Sequence, residues 1–200
     1  MMVYTLEYHE GTLNPKVFHT VNIIFHLLNV LLVFWFIYLL SRKKVAVAFI
    51  VSLFFGIHPM HVESVAWISE LKDVLYSFFF LSGLIAYYYY LEKIKSENPE
   101  NKYDFLKQLS LVFLFFLLSV LSKPAAIVFP LVLLLLDYYF ERKFIRRTWL
   151  EKIPFLIVSI IFSLITVQAQ KSDNLLHDYF SFPQRILFVS YSVIQYLVKF

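Results

Sequence analysis

Long apolar runs without charge are the feature that most constrains the fold of this chain. Residues 18–40 contain no Asp, Glu, Lys or Arg. The hydrocarbon core of a bilayer, about 30 Å thick, needs about 20 apolar helical residues to span it. The chain is 60% hydrophobic and only 16% charged, whereas a soluble domain is typically about 25% charged. The composition therefore excludes an ordinary soluble domain and an intrinsically disordered chain.

Seven apolar runs, six of them uncharged and one with a single charge at Lys107 near its start, are joined by short polar links and are candidate membrane helices. Backbone groups in lipid must be hydrogen-bonded internally, and the runs lack the strict alternation of barrel strands. The predicted fold is an all-α polytopic transmembrane helix bundle of about seven membrane helices. Residues 62–68 either extend the second run or form a separate interfacial turn. The candidate runs are residues 18–40, 45–57, 74–91, 105–121, 124–136, 153–169 and 186–198.

The distribution of Lys and Arg predicts the orientation of these helices. If the link at 41–44 is cytoplasmic, alternation places 92–107 and 141–152 on the same side. These links then hold twelve Lys and Arg residues, against five on the opposite side. This bias explains the net charge of +4 without a nucleic-acid partner. It predicts a multi-pass integral membrane protein, in the cytoplasmic membrane if bacterial, with aromatic residues 87–90, 138–140 and 149 at the basic interface.

The same orientation predicts the organisation of the chain. Residues 1–17 lie outside with no apolar run before them, and the last run reaches the C-terminus. We therefore expect a fragment, with 1–17 as the remainder of the first external loop and 18–200 as a partial transmembrane bundle that lacks its upstream helix. The chain has no cysteine and only three glycines. Disulfides, cysteine-ligated metals and glycine-rich phosphate loops are therefore excluded.

One face of the first helix carries a polar stripe. Its members are spaced by three or four residues, so they share one side of a helix. Polar side chains facing lipid are unfavourable, so the stripe is expected to contact neighbouring helices. Either it is a polar packing seam, or it is the wall of a hydrophilic cavity. The stripe consists of His19, Asn22, His26 and Asn29.

The first polar link on the external side contains His58, His61 and Glu63. These residue types can hold a divalent ion. Zinc sites, however, usually need three protein ligands that are oriented by hydrogen bonds from neighbouring residues. Pro59 favours a helix start, which makes His58 a cap. Capping and interfacial hydrogen bonding are therefore the preferred interpretation, metal binding and substrate binding stay open, and no metal ligand is assigned.

Two lysines stand at predicted helix starts on the external side. Acidic residues such as Glu70 and Asp73 suit the positive end of a helix dipole, but Lys72 and Lys123 do not. Each amine alone is explained by snorkelling to the interface. Together with backbone N–H groups, the two amines predict an anion site, for which a phosphate at the membrane surface is the natural ligand.

On the cytoplasmic side, Asp137 lies at a predicted helix end, where a carboxylate is unfavourable. We expect it to pair with Arg142 or Lys143 in a structural role.

Three sequence blocks together resemble a known family. They are residues 18–29, residues 58–75 with the sequence HPMHVESVAWISELKDVL, and residues 121–138, which begin LSKP and end LLLLDY. Their order and spacing resemble the membrane part of bacterial tetratricopeptide-repeat membrane proteins and of TMTC-type protein O-mannosyltransferases. Both are similar to the C-type glycosyltransferase superfamily, and the resemblance covers nearly the whole chain.

The resemblance implies a membrane glycosyltransferase that moves a mannose-like sugar from a polyprenyl-phosphate donor to a protein or other acceptor on the non-cytoplasmic face. It implies that Lys72 and Lys123 bind the lipid phosphate, and that some members use a divalent metal. The acidic base of the family is expected upstream of Met1, and the repeat domain downstream, so this fragment is expected to be inactive alone. Residues expected to line the active site are His58, His61, Glu63, Glu70 and Asp73.

Two other functions stay open from the sequence. A transporter or flippase predicts charge near the bilayer midplane and internal repeats with broken helices. The apolar runs show no mid-helix charge and no clear repeat, although Pro124 and Pro130 interrupt one region. A non-catalytic membrane anchor for a protein-binding repeat domain is the other alternative.

Overall fold

A computed structural model describes residues 15–67, 70–96, 102–143, 145–172 and 182–199, and this part of the chain is helical with no β-strand. The predicted external loop at 1–17 lies outside the described residues, except where the first helix begins. The 3-10 helices Pro59–His61 and Pro124–Val128 interrupt the series. The α-helices are α1 (Pro15–Leu40), α2 (Val45–Ile57), α3 (Val62–Ala66), α4 (Leu71–Ser96), α5 (Lys102–Ser122), α6 (Phe129–Tyr139), α7 (Arg146–Ser172) and α8 (Phe182–Lys199).

Four of these helices are long and apolar enough to cross a bilayer, within α1, α4, α5 and α7. A fifth span exists if α2 and Pro59–Ala66, which meet at a bend of 50°, are counted as one. Apolar stretches at Pro124–Tyr139 and Ile186–Gln195 are shorter than a full span. The all-helical membrane architecture agrees with the sequence prediction, whereas seven separate spans are not confirmed.

The run predicted at 124–136 is divided at Phe129. Pro130 has no backbone N–H, and its ring would clash with the carbonyl four residues earlier in an α-helix. The chain therefore forms the 3-10 helix Pro124–Val128, and α6 begins at Phe129 with proline in its first turn, a position where proline is favourable.

Contacts divide the chain into one compact unit that ends at Ser163 and a second over Leu164–Phe200. The first unit has an aromatic core centred on Phe129. The ring of Phe129 stacks on Phe116 at 5.3 Å between centroids and meets the edge of Phe80 at 5.0 Å. Phe155 from α7 adds a ring 5.5 Å from Phe116. Gly83 on α4 permits this packing, since a Cβ there would lie 2.9 Å from Phe129 Cζ.

The helix α2 packs on α1 through small side chains. Ala48 and Ser52 are buried, and Gly56, one turn further on, would place a Cβ 3.2 Å from Val30. Small residues of this kind allow close helix contacts in membranes. The outward-facing residues of α2 are large and apolar, for example Phe54, which is 63% exposed. Exposed apolar faces are expected where lipid is the solvent.

A network of charged side chains joins α4, α6 and α7. Asp137 accepts a hydrogen bond from the Tyr87 hydroxyl at 2.6 Å and forms ion pairs with Lys152 at 2.8 Å and Arg142 at 3.3 Å. The predicted pairing of Asp137 with Arg142 is present. Arg142 also contacts Glu151 at 2.7 Å. Burial alone would lower the pKa of Arg142, but Glu151, Tyr87 and Asp137 more than offset this effect, so its pKa is raised and the guanidinium stays charged.

One sequence interpretation is wrong at this end: Lys152 falls in the predicted link 141–152, yet α7 already begins at Arg146 and the side chain of Lys152 is fully buried. Tyr87 and Tyr90, which the sequence places at the basic interface, are buried within the protein. Their rings belong to the protein core and its charge network. Tyr138, Tyr139 and Trp149 are exposed, as interfacial residues would be.

Candidate functional site

Hydrogen bonds from the polar stripe of α1 hold the opposite end of the unit together. Asn22 Nδ2 donates to Trp67 O at 2.9 Å and to Val65 O at 3.4 Å. His26 Nε2 lies 3.0 Å from Gly56 O, and Asn29 Nδ2 donates to Val74 O at 2.8 Å. The contacts expected of this stripe are thus present for Asn22, His26 and Asn29. They join α1 to the end of α2, to α3 and to the start of α4.

Asp73 is the centre of the polar contacts at this end. Its Oδ1 lies 2.5 Å from Lys123 Nζ, and its Oδ2 accepts a hydrogen bond from Ser64 Oγ at 3.4 Å. Lys72 Nζ lies 3.3 Å from Glu70 Oε1. The structure therefore gives each of the two predicted phosphate-binding amines a carboxylate partner. Both amines keep access to solvent, with 33% of the Lys123 side chain and 47% of the Lys72 side chain exposed.

An apolar pocket of about 190 Å³ is lined by Tyr76 and by Ala125, two residues after Lys123, although Lys123 itself does not line it. The amine of Lys123 stands 5.9 Å from the centroid of the Tyr76 ring, a distance at which a cation is attracted to an aromatic face. The site therefore combines a positive group with an apolar cavity. The pocket is lined by Phe55, Tyr76, Ser77, Phe80, Leu81, Ala125 and Val128.

A second and larger cleft, about 480 Å³ in volume, is lined by His19, His26, His58 and His61 together with apolar residues. The ring of His61 lies 5.9 Å from that of His26 and 6.1 Å from that of His58, between centroids. Phe55 stands between the two cavities. Its ring contacts His61 at 4.5 Å and also lines the apolar pocket.

The structure gives these polar residues unequal roles. His58 Nδ1 accepts a hydrogen bond from Met60 N at 3.3 Å, which is the capping role that Pro59 indicated. Glu63 is exposed and does not line the histidine cleft. Within the described ranges, no group of three or more His, Asp or Glu side chains is arranged to hold a metal ion.

Sequence reasoning missed Phe55 and Tyr76, although they form the walls of the cavities. Both lie inside apolar runs, where an aromatic residue is usual in a membrane helix and carries no polar signal. Two features of the structure distinguish them from other aromatic residues of the membrane helices. Phe55 lies just before the bend after α2, and Tyr76 contacts Lys123.

Helices of membrane-spanning length, apolar outer faces and a polar end built from separate segments define a multi-pass helical membrane protein. This chain is 34% identical over 87 residues, 44% of its length, to human protein O-mannosyl-transferase TMTC1. It is 30% identical over 101 residues, 50% of its length, to human protein O-mannosyl-transferase TMTC3. The mouse TMTC1 protein is 37% identical over 75 residues, 38% of the chain.

These alignments cover 10%, 10% and 8% of the respective relatives, so the chain spans about a tenth of the length of the curated proteins it matches. No family model matches the chain. No solved structure matches it either. The partial similarity supports a relationship to O-mannosyltransferases of this kind.

Proposed function

We propose that this chain is part of a membrane glycosyltransferase that takes a mannose-like sugar from a polyprenyl-phosphate donor and transfers it to a protein hydroxyl on the non-cytoplasmic face. The observation that carries the proposal is the Lys123 amine beside an apolar pocket, at the end where α1, α2 and α4 are joined by polar contacts. The partial similarity to protein O-mannosyl-transferases favours the same reaction.

The two amines at this site are the groups that would bind a lipid phosphate. Lys123 is half-buried and pairs with Asp73, so a phosphate would compete with that carboxylate for the amine. Hydrogen bonds between charged groups are stronger than neutral ones. The first prenyl units would enter the apolar pocket, whose lining residues bind hydrocarbon without loss of hydrogen bonds. Lys72, more exposed and 3.3 Å from Glu70, would add a second positive group.

The transfer itself needs three events. The acceptor oxygen attacks the anomeric carbon of the sugar, the bond between that carbon and the phosphate oxygen breaks, and polyprenyl phosphate leaves with the electron pair. A carboxylate takes the proton of the acceptor hydroxyl as general base. The resemblance to C-type enzymes assigns this base to an external loop, and no described carboxylate is assigned to it. Lys72 and Lys123 would stabilise the leaving phosphate.

The test is transfer by the full-length protein in liposomes, with a polyprenyl-phosphate-linked mannose as donor. We expect Lys123→Gln to raise the donor KM about tenfold, because a charge-assisted hydrogen bond contributes about 1.5–3 kcal/mol. Lys123→Arg keeps the charge and should retain most affinity. Lys44→Gln, an exposed lysine in the turn after α1, is the matched control.

An unchanged donor KM in Lys123→Gln would contradict the assignment of the phosphate site. Wild-type protein that neither binds polyprenyl phosphate nor transfers sugar would instead favour the non-catalytic anchor or the transporter.

A further inference from the structure

The histidine cleft differs from the lysine site in charge. Its described lining contains four half-buried histidines and apolar residues, but no Asp, Glu, Lys or Arg. The described lining therefore offers ring nitrogens that can donate or accept hydrogen bonds, without a carboxylate, ammonium or guanidinium group beside them. Such a lining suits a ligand with hydroxyl groups and no charge.

The four imidazole rings of the cleft differ in whether they form hydrogen bonds within the described part of the protein. His26 is bound to Gly56 O and His58 caps the 3-10 helix Pro59–His61. Among the described residues, the rings of His19 and His61 have no hydrogen-bond partner. Half-buried polar groups of this kind gain from a ligand that supplies partners. Their nitrogens are thus available to a bound molecule.

The histidine cleft lies close to the apolar pocket, which indicates the part of a polyprenyl-phosphate-linked sugar that would reach it. Phe55 links the two cavities, since its ring contacts His61 of the cleft and lines the apolar pocket. A donor that fills both cavities would place its chain in the apolar pocket and its headgroup in the cleft, on the two sides of Phe55. The cleft volume of about 480 Å³ lies in the range of small-molecule sites.

From this arrangement we infer that the histidine cleft binds the uncharged hexose of the donor, with His19 and His61 as hydrogen-bonding residues for its hydroxyl groups. This inference rests on the proposed function, because it assumes that the phosphate lies at Lys123. It divides donor recognition between a lysine site for the phosphate and a histidine-lined site for the sugar.

The experiment compares two ligands of the full-length protein in detergent micelles: a polyprenyl-phosphate-linked mannose and the same polyprenyl phosphate without sugar. We expect wild-type protein to prefer the mannosylated lipid. His19→Phe and His61→Phe keep a ring but remove its nitrogens, so each should weaken binding of the mannosylated lipid about threefold to tenfold. Binding of the bare lipid should change less than twofold. His61→Gln should restore part of the preference, since its amide also forms hydrogen bonds.

Equal weakening for both lipids, or a wild type without preference for the sugar, would overturn the inference while leaving the phosphate site intact. Lys123→Gln should weaken both lipids alike, which tests the proposed function separately. If wild-type protein binds neither lipid, the proposed function fails and this inference fails with it.

Discussion

Lys152 Nζ lies 2.8 Å from Asp137 Oδ2, and neither side chain has any exposed surface. The Tyr87 hydroxyl lies between them in the hydrogen-bond network, since it donates to Asp137 and contacts the Lys152 amine. A buried charge is tolerated when its partner is present and becomes costly when the partner is removed. This pair therefore ties α6 to α7 at the end of the unit away from the candidate site.

Asp137→Asn should destabilise the protein by about 3–5 kcal/mol, because it leaves the Lys152 amine buried without a countercharge. The double variant Asp137→Asn, Lys152→Met should regain most of that stability. Thermal unfolding in detergent measures both effects. Arg147→Gln is the control, since Arg147 is 57% exposed and Glu151 keeps its bond to Arg142. Equal losses in the single and double variants would contradict the role of the ion pair.

Substitution of Gly83 should test the aromatic core. A Cβ at this position would lie 2.9 Å from Phe129 Cζ, and the Phe129 ring is fixed between other rings. Gly83→Val should therefore cost about 1–3 kcal/mol, the usual cost of overpacking. Gly56→Ala should cost less, because its nearest neighbour is a Val30 methyl at 3.2 Å. A neutral Gly83→Val in the same unfolding assay would show that α4 and α6 are not packed this closely.

Asn22 should anchor the short helix α3. Its amide donates to Val65 O and Trp67 O, and its Oδ1 is buried without a partner among the described residues. Asn22→Leu should destabilise the protein by about 1 kcal/mol and speed amide hydrogen exchange at residues 62–67. Asn29→Leu is a matched control, because it removes a bond to Val74 O instead. Asn29→Leu should also lower stability but should leave amide hydrogen exchange in α3 unchanged. Faster exchange in α3 for Asn29→Leu but not for Asn22→Leu would contradict the anchoring role.

Asp73→Asn should tighten the binding of polyprenyl phosphate if Lys123 holds the phosphate. The Asp73 carboxylate lies 2.5 Å from the Lys123 amine and competes with an anion for it. Removal of its charge also reduces the electrostatic repulsion between Asp73 and the phosphate. For partly exposed charges the gain is about 1 kcal/mol, or roughly fivefold in affinity. Equilibrium binding in micelles at low and high salt measures it, with Glu141→Gln at the opposite end as control. Weaker binding would mean that Asp73 positions Lys123 rather than competing for it.

The sequence was informative where residues act locally. The uncharged run at 18–40 predicted α1 almost to its ends, and three of the four members of its polar stripe, Asn22, His26 and Asn29, make the expected contacts with neighbouring segments. Pro59 indicated a cap at His58, and the structure has that cap. These features depend on neighbours within one or two turns, which a single sequence displays directly.

The sequence was uninformative where partners are distant along the chain. Hydropathy placed the start of the sixth run at residue 153, yet α7 begins at Arg146 because Asp137 neutralises Lys152 and because Glu151 binds both Arg142 and Arg147. The ion pair of Lys123 with Asp73 joins residues 50 positions apart. Nothing in the local pattern of either residue identifies the other.

The most direct test of the account is photo-crosslinking of a polyprenyl phosphate that carries a photoreactive group on its first prenyl units. After irradiation of the full-length protein in liposomes, mass spectrometry should find the label on residues of the apolar pocket, Tyr76, Phe80 and Val128 among them. Excess unlabelled polyprenyl phosphate should abolish the label, and Lys123→Gln should reduce it. Label confined to the outer face of α2, or unaffected by competitor, would contradict a lipid-phosphate site at Lys123.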